Sequence, residues 1–316
     1  MKLLVTGGTG FLGKRLGKRL REMGHHVVLS GRNNKQNLLA AEFSGCAVLA
    51  MDVSHIESVR DIVTQAKPEV IIHAAATKFV DIAERQPMEA VDVNVVGSQN
   101  VARVAIEKGV ELVIGISTDK ASPPIRNTYG LTKSLMERVF CTMEGKSATH
   151  FLCVRYGNVA WSTGSVLGIW RNMLKKQGFI GTTGPEMFRF FFTVDEAVDL
   201  VVTALGHARE LYGKVLSRQM KAAQLEDILK VWTAQEGKRW ERIGGRPGER
   251  NEEYLIGESE LPYARAVDYG AIVHYVISFN EKVANPLPAV VSSGSAVRLT
   301  AEEIKMLINS PPIEEQ

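Results

Sequence analysis

At 316 residues the chain is long enough for one large domain or two medium ones. Hydrophobic residues make up 45% and charged residues 23%, and the formal net charge is +3. That balance is ordinary for a globular protein and too mild for the concentrated basic face that nucleic acid selects. The apolar stretch at residues 3–5 is too short for a signal peptide, and no apolar run reaches the length of a membrane span. Cys46, Cys141 and Cys153 are scattered in apolar surroundings and read as reduced packing residues. The seven histidines, including the His25-His26 pair, show no metal-ligand spacing. These features point to a cytoplasmic protein with no nucleic-acid, membrane or metal partner.

Residues 2–5 read as a buried strand. The loop Thr6-Gly7-Gly8-Thr9-Gly10-Phe11-Leu12-Gly13 follows, then an amphipathic run to Met23. Gly7, Gly10 and Gly13 in this frame let the backbone turn tightly, approach a pyrophosphate and pack helix on strand. The helix start adds free N–H groups and a positive dipole end. The loop, with Thr9, Phe11 and Leu12, is the expected cofactor-phosphate site. The next strand, 26–29, leads into Ser30-Gly31-Arg32-Asn33 without an acid. NAD sites place Asp or Glu there. Arg32, with Ser30 and Asn33, is therefore expected to hold the 2′-phosphate of NADP. A third strand, 47–51, ends in Asp52 and Val53, suited to an adenine edge and face. After a helix over 57–66, a fourth strand, 70–76, ends in His73-Ala74-Ala75-Ala76. Ala74, Ala75 and Ala76 are small enough for a cofactor to lie against backbone, and His73 reads as a packed polar residue.

Residues 87–108 predict one long helix, 112–117 a strand, 129–143 a helix and 151–155 another strand. Near-continuous apolar strands alternating with helices predict a Rossmann-type α/β fold, a doubly wound parallel sheet covered on both faces. After Gly157 the pattern changes. Helices are expected over 166–176, 195–208 and 225–236, the second opened by a capping box from Thr193 to Glu196. Loops rich in Gly, Arg and Pro follow, with a short strand at 274–278. The expected division is a cofactor-binding domain over 1–157, onto which the helix near 194–208 packs back, and a smaller mixed α/β substrate lobe over 158–316.

Ser117-Thr118-Asp119-Lys120 follows the fifth strand, and Tyr129 and Lys133 share a face of the next helix. A nearby ammonium stabilises a phenolate and lowers its pKa, which makes Tyr129 a usable base. Lys133 can also hold the cofactor ribose. Asp119 and Lys120 are adjacent, so each shifts the other's protonation. Arg189, Arg246 and Arg250 offer forked donors for a diphosphate.

With these residues in place the chain resembles the extended short-chain dehydrogenase/reductases. Within them it is most similar to the inverting UDP-N-acetylglucosamine 4,6-dehydratases of polysaccharide and pseudaminic-acid synthesis. The matching stretches are the glycine loop, His73 to Lys78, Asn94-Val95-Val96-Gly97, Ser117 to Ala121, Tyr129 to Lys133, Arg155-Tyr156-Gly157-Asn158-Val159, Gly164-Ser165-Val166 and Arg246-Pro247-Gly248-Glu249. The resemblance implies NADP as cofactor, with Asn94 added to its site, and a UDP-sugar substrate lined by Asn158, Ser165, Val166, Arg189, Arg246 and Glu249; Lys78 is a separate candidate for the sugar or pyrophosphate. It implies transient oxidation at carbon 4, with Tyr129 as base assisted by Thr118. Lys120 would then take the carbon-5 proton and Asp119 would protonate the departing 6-hydroxyl. It also implies a homo-oligomer, for which the helices over 87–108 and 129–143 offer a face. Gly168 stands where the family commonly has proline, and Phe188 interrupts its usual pattern before Arg189. The last step therefore stays open between hydride return to carbon 6, release of a 5,6-ene sugar, and epimerisation or reduction of a 4-keto sugar. Outside enzymes, the alternative is a non-catalytic NADP sensor.

Overall fold

The computed structural model describes residues 1–245 and 248–312. It opens as alternating strands and helices: β1 (Lys2–Thr6), α1 (Phe11–Glu22), β2 (His26–Gly31), α2 (Asn34–Ser44), β3 (Ala47–Ala50), α3 (Ile56–Ala66) and β4 (Val70–His73). Then come α4 (Val80–Arg85), α5 (Pro87–Val91), a π-helical stretch (Asp92–Val96), α6 (Gly97–Lys108), β5 (Leu112–Ile116), α7 (Thr128–Met143) and β6 (His150–Val154). The later elements are β7 (Asn158–Val159), α8 (Val166–Gln177), β8 (Phe179–Thr182), β9 (Phe188–Phe192), α9 (Val194–Gly206) and α10 (Ala208–Leu211). They continue through β10 (Lys214–Arg218), β11 (Lys221–Gln224), α11 (Leu225–Glu236), β12 (Arg239–Arg242) and β13 (Tyr254–Ile256). The last are β14 (Ala264–Tyr269), β15 (Ile272–Ser278), β16 (Val291–Ser292) and α12 (Ala301–Asn309).

One nine-stranded sheet organises the molecule, in the order β14-β15-β10-β6-β5-β4-β1-β2-β3. From β3 to β10 the strands run parallel, and β15 and β14 add an antiparallel hairpin at one edge. Strand order reverses between β1 and β4, which makes the crevice beyond their carboxyl ends the natural ligand site of an open α/β sheet. The central strands are apolar on both faces. Leu4, Val5, Ile71, Ile72, Val113, Ile114, Leu152 and Cys153 are all essentially inaccessible, as helix-covered parallel strands require.

The chain after residue 158 returns to this sheet three times, through β10, β14 and β15. α9 starts on the foreseen capping box, Thr193 and Glu196 each bonding the other's backbone, and lies against α1. Around this frame sit three small sheets: β11-β9-β7, β12-β8 and β13-β16. Two expectations change. The single helix over 87–108 is three consecutive pieces, because the π turn rotates Asn94 inward. The strand expected to reach Ala76 ends at His73, and the backbone beyond it is held at Thr77 by Asn94. Among the described residues no helix is long and apolar enough to cross a membrane.

Candidate active site

A cavity of about 720 Å³ opens at the carboxyl ends of β1, β4 and β5. Gly7, Thr9, Gly10, Phe11, Leu12 and Gly13 line one end of it. Gly7 has φ +64°, and a Cβ there would stand 2.6 Å from the Ala75 amide nitrogen, so only glycine lets β1 turn over the end of β4. A Cβ on Gly13 would lie 2.5 Å from the Gly8 Cα, so its absence sets the seat of α1 on the loop. Gly10 caps α1 without a side-chain bond, which leaves the first-turn N–H groups for an anion. Ala74, Ala75 and Ala76 form the adjacent wall and Val53 lies beyond it. This uncapped helix start with small neighbours fits the pyrophosphate and ribose of a nicotinamide dinucleotide.

At the end of β2, Arg32 and Asn33 line the cavity, and Asn33 also caps α2 by accepting from the Gln36 amide at 3.0 Å. Arg32 is half-exposed, with Nη1 3.7 Å from Asp52 and 3.6 Å from Glu89. Ser30 does not join it. Its side chain alternates into the sheet, is fully buried and donates to the Val5 carbonyl. Asp52 is also not in the lining. It accepts from the Ser54 amide at 2.9 Å and hydroxyl at 2.7 Å and holds the turn into α3. Burial alone would raise the Asp52 carboxyl. The Ser54 bonds and Arg32 outweigh that and hold it below its ordinary value.

Asn94 is a third correction. It is fully buried and off the cavity wall. Its amide grips both backbone groups of Thr77 and donates to Thr132 at 3.0 Å. It therefore ties the cofactor wall to α7 and does not itself line the cavity. His73 is buried between Thr6 and Ser98, and desolvation pushes it down to about 3, so it stays neutral.

Thr118, Lys120, Tyr129 and Lys133 converge on the middle of the cavity. Thr118 follows β5 and opens the short 3-10 turn Asp119–Ala121. Tyr129 sits in the first turn of α7, capped by Asn127 accepting from the Gly130 amide at 2.7 Å. The Tyr129 phenol is not lowered as the sequence suggested. Burial pushes it up to about 12, against the pull of the Lys120 ammonium and the Thr118 hydroxyl. The charge beside it is Lys120, because Lys133 is turned toward the Met136 sulfur at 2.9 Å.

Asp119 lies behind this wall, fully buried. Its Oδ1 accepts from Thr118 at 3.0 Å and from Lys120 at 3.1 Å, and its Oδ2 has no partner among the described residues. Desolvation raises its pKa. Lys120 donates to Asn158 at 3.3 Å and lies 3.8 Å from Glu253. Burial opposes its charge, but Asp119 and Glu253 prevail and raise it. Lys120 thus faces the cavity as an ammonium, and Asp119 reaches the cavity only through Lys120 and Thr118.

Burial holds the Lys133 amine down at about 8, against an ordinary value of 10.5. Between those values the unfolded chain binds more protons than the fold, so stability rises with pH across that window. Lys133→Met removes this dependence. It is expected to be more stable at pH 7 by about 3 kcal/mol, with the gap closing toward pH 10.5. Melting curves of both proteins at pH 7 and pH 10 check this. A gap that does not change with pH would show that burial leaves the Lys133 amine at its ordinary value.

Lys78, Asn158, Ser165, Val166, Arg189 and Glu249 line the far end. Ser165 begins α8 with its buried hydroxyl unpartnered among the described residues. Glu249 accepts from Thr183 at 2.9 Å. Arg246 lies outside the described residues. Arg250 does not reach the cavity, because its Nε is spent on Glu253 at 2.9 Å and its Nη1 on the Pro124 carbonyl. Sequence reasoning missed Glu253 and the aromatic closure made by Phe79. The Glu252-Glu253 pair just after the arginine loop was a visible signal for the first. Nothing local marked Phe79, which packs over Gly164 from a distant loop.

A family model described as polysaccharide biosynthesis protein matches residues 3–275. The chain belongs to that family. Among curated relatives, the capsular polysaccharide biosynthesis protein CapD of Staphylococcus aureus is 32% identical over 87% of this chain. The match spans about half of that protein, 48% of its length. A UDP-glucose 4-epimerase of Rickettsia felis is 32% identical over 99% of this chain and 97% of its own. The solved structure of Pen from Bacillus thuringiensis superimposes with a TM-score of 0.88 at 28% identity, covering 97% of this chain and 96% of that one. This member of the family has a Rossmann-type α/β fold with a largely parallel doubly wound sheet.

Proposed function

We propose that this protein is an NADP-dependent UDP-N-acetylglucosamine dehydratase. It oxidises carbon 4, eliminates water across carbons 5 and 6, and returns the hydride to carbon 6 while carbon 5 is reprotonated on the opposite face. The observation that carries this reading is the pairing of Tyr129 with Lys120 on one cavity wall. A simple alcohol dehydrogenase needs only the phenol; elimination next to a ketone needs a second proton carrier. The bound nicotinamide would supply a reversible hydride acceptor at carbon 4. Gly7, Gly10, Gly13 and the α1 amides would hold its pyrophosphate, Lys133 its ribose, and Arg32 its 2′-phosphate. That NADP reading rests on the absence of an acid at the end of β2.

Tyr129 acts in its ionised form, which Thr118 and Lys120 stabilise against burial, and takes the proton of the 4-hydroxyl. The ketone then acidifies the carbon-5 hydrogen. Lys120 removes that hydrogen once its own proton has moved to Asp119, whose raised carboxyl accepts it. The ammonium so formed can protonate the departing 6-hydroxyl, a task the sequence had given to Asp119 directly. Arg189 and Glu249, with Asn158 and Ser165, line the end where a UDP-sugar would lie. Met88 and Val91 on α5 and Leu131 and Leu135 on α7 are exposed apolar residues, which supports homo-oligomer formation through these helices.

A second reading, 4-epimerisation or release of a 5,6-ene sugar, needs the same first step, and the name of the Rickettsia felis relative favours its epimerase form. The test is incubation with UDP-N-acetylglucosamine and either NADP or NAD, followed by mass spectrometry and proton NMR. Loss of one water with a 6-deoxy-4-keto product, faster with NADP, is expected. An alkene signal, or an unchanged mass with an inverted carbon 4, would replace the main reading with the second.

A further inference from the structure

We propose that Glu253 is a positioning residue for Lys120: it holds the amine at the cavity wall and sets the pH at which that amine gives up its proton. The inference deepens the proposed reaction and rests on its assignment of Lys120.

Glu253 is buried, lines the cavity and comes from the segment just before β13, far in sequence from the 3-10 turn it faces. Its geometry is fixed from several sides. Oε2 accepts from Arg250 Nε at 2.9 Å, and Arg250 is anchored in turn on the Pro124 carbonyl. The Glu253 amide donates to Ser293 Oγ at 2.9 Å, and the Ser293 amide donates back to the Glu253 carbonyl. The remaining oxygen, Oε1, stands 3.8 Å from Lys120 Nζ and 4.0 Å from Arg189 Nε. Asp119 and Asn158 hold Lys120 on its other sides.

Among the described residues, the titratable and charged groups around Lys120 come from four elements. Asp119 lies on its own turn, Tyr129 on α7, Arg189 on β9, and Glu253 beside Arg250. Two carboxylates and three cations meet in one buried cluster. With Glu253 neutralised, Asp119 would be the one carboxylate left beside Lys120 among the described residues. Losing a carboxylate at 3.8 Å destabilises the ammonium, so Lys120 sheds its proton at lower pH. Burial alone would raise the Glu253 carboxyl. Lys120, Arg189 and Arg250 outweigh that and hold it lowered, so the carboxylate is charged throughout the range in which Lys120 gives up its proton.

The test compares wild type with Glu253→Gln, which keeps the shape, and Glu253→Asp, which keeps the charge. Reactivity of the Lys120 amine toward a small acylating reagent is followed across pH by peptide mass spectrometry. This readout needs no substrate. The midpoint is expected to fall by about one pH unit in Glu253→Gln and to stay near wild type in Glu253→Asp. In turnover, the acid limb of kcat should move to lower pH in Glu253→Gln while KM changes less than kcat. An unmoved labelling midpoint in a folded Glu253→Gln protein overturns the proposal. So does a change in KM alone, which would mean that Glu253 contacts the sugar. If the midpoint shifts but no UDP-hexosamine is turned over by the wild type, the functional reading fails and the role of Glu253 stands.

Discussion

Tyr129→Phe is expected to lower turnover of UDP-N-acetylglucosamine by about 10²–10⁴-fold, the usual worth of a positioned proton-transfer group. The phenol lies at the junction of the glycine-loop end and the Arg189 end of the cavity. The variant keeps the ring, so the packing of α7 on the turn at Asp119 survives. It also removes a hydroxyl whose ionisation burial already resists. Cofactor affinity, read by titration of NADP, should therefore stay within about threefold, because the pyrophosphate seat belongs to α1. Product formation, read by NMR under saturating substrate, should collapse. A variant retaining more than a tenth of wild-type turnover would remove the phenol from the reaction.

Arg155→Met is expected to cost about 3–5 kcal/mol of stability, as removal of one partner from a buried ion pair does. Arg155 is fully buried and uses both edges of its guanidinium. Nε and Nη2 donate to the two oxygens of Glu137 at 2.9 and 2.6 Å, and Nη1 and Nη2 donate to those of Glu260 at 2.9 and 2.8 Å. Nη1 also donates to the Leu255 carbonyl at 2.8 Å. Removing the cation leaves two carboxylates facing each other out of water, and that uncompensated charge is the source of the cost. The double variant Arg155→Met/Glu137→Met should recover part of the loss, because only Glu260 then remains and it is nearer solvent. Denaturant midpoints measured at fixed ionic strength check both. Glu137 sits on α7 with Tyr129 and Lys133, and Arg155 leads into Tyr156-Gly157-Asn158. Activity should therefore fall along with stability.

The fold was legible wherever local pattern and burial agreed. The apolar runs that became β1, β2, β4, β5 and β6 need no information beyond their own residues, and the capping box at Thr193 names its own helix start. The glycine loop likewise announced its own turn. The π turn before α6 was not legible, because Asn94 faces inward only to meet Thr77 and Thr132 from other elements. Within the site, residue type located the wall but not which side chains face it. Ser30 and Asp52 carry suitable chemistry at the right strand ends, yet strand alternation turns one inward and a tight turn occupies the other. Asp119 and Lys120 are neighbours in sequence, but the turn they form sends one behind the wall and the other through it. The Tyr129 expectation failed for a related reason. Charge proximity can be read from spacing, whereas the depth of burial that opposes it cannot.

The strand that completes the sheet beside β6 is β10, which begins 60 residues after β6 ends. During synthesis the nascent chain therefore carries β6 with one row of peptide groups unpaired until that later segment leaves the ribosome. Open edges of apolar parallel strands are sites of misassociation. Slow translation between these strands, or truncation before β10, should thus favour inclusion bodies, even though the glycine loop and its helix are already complete.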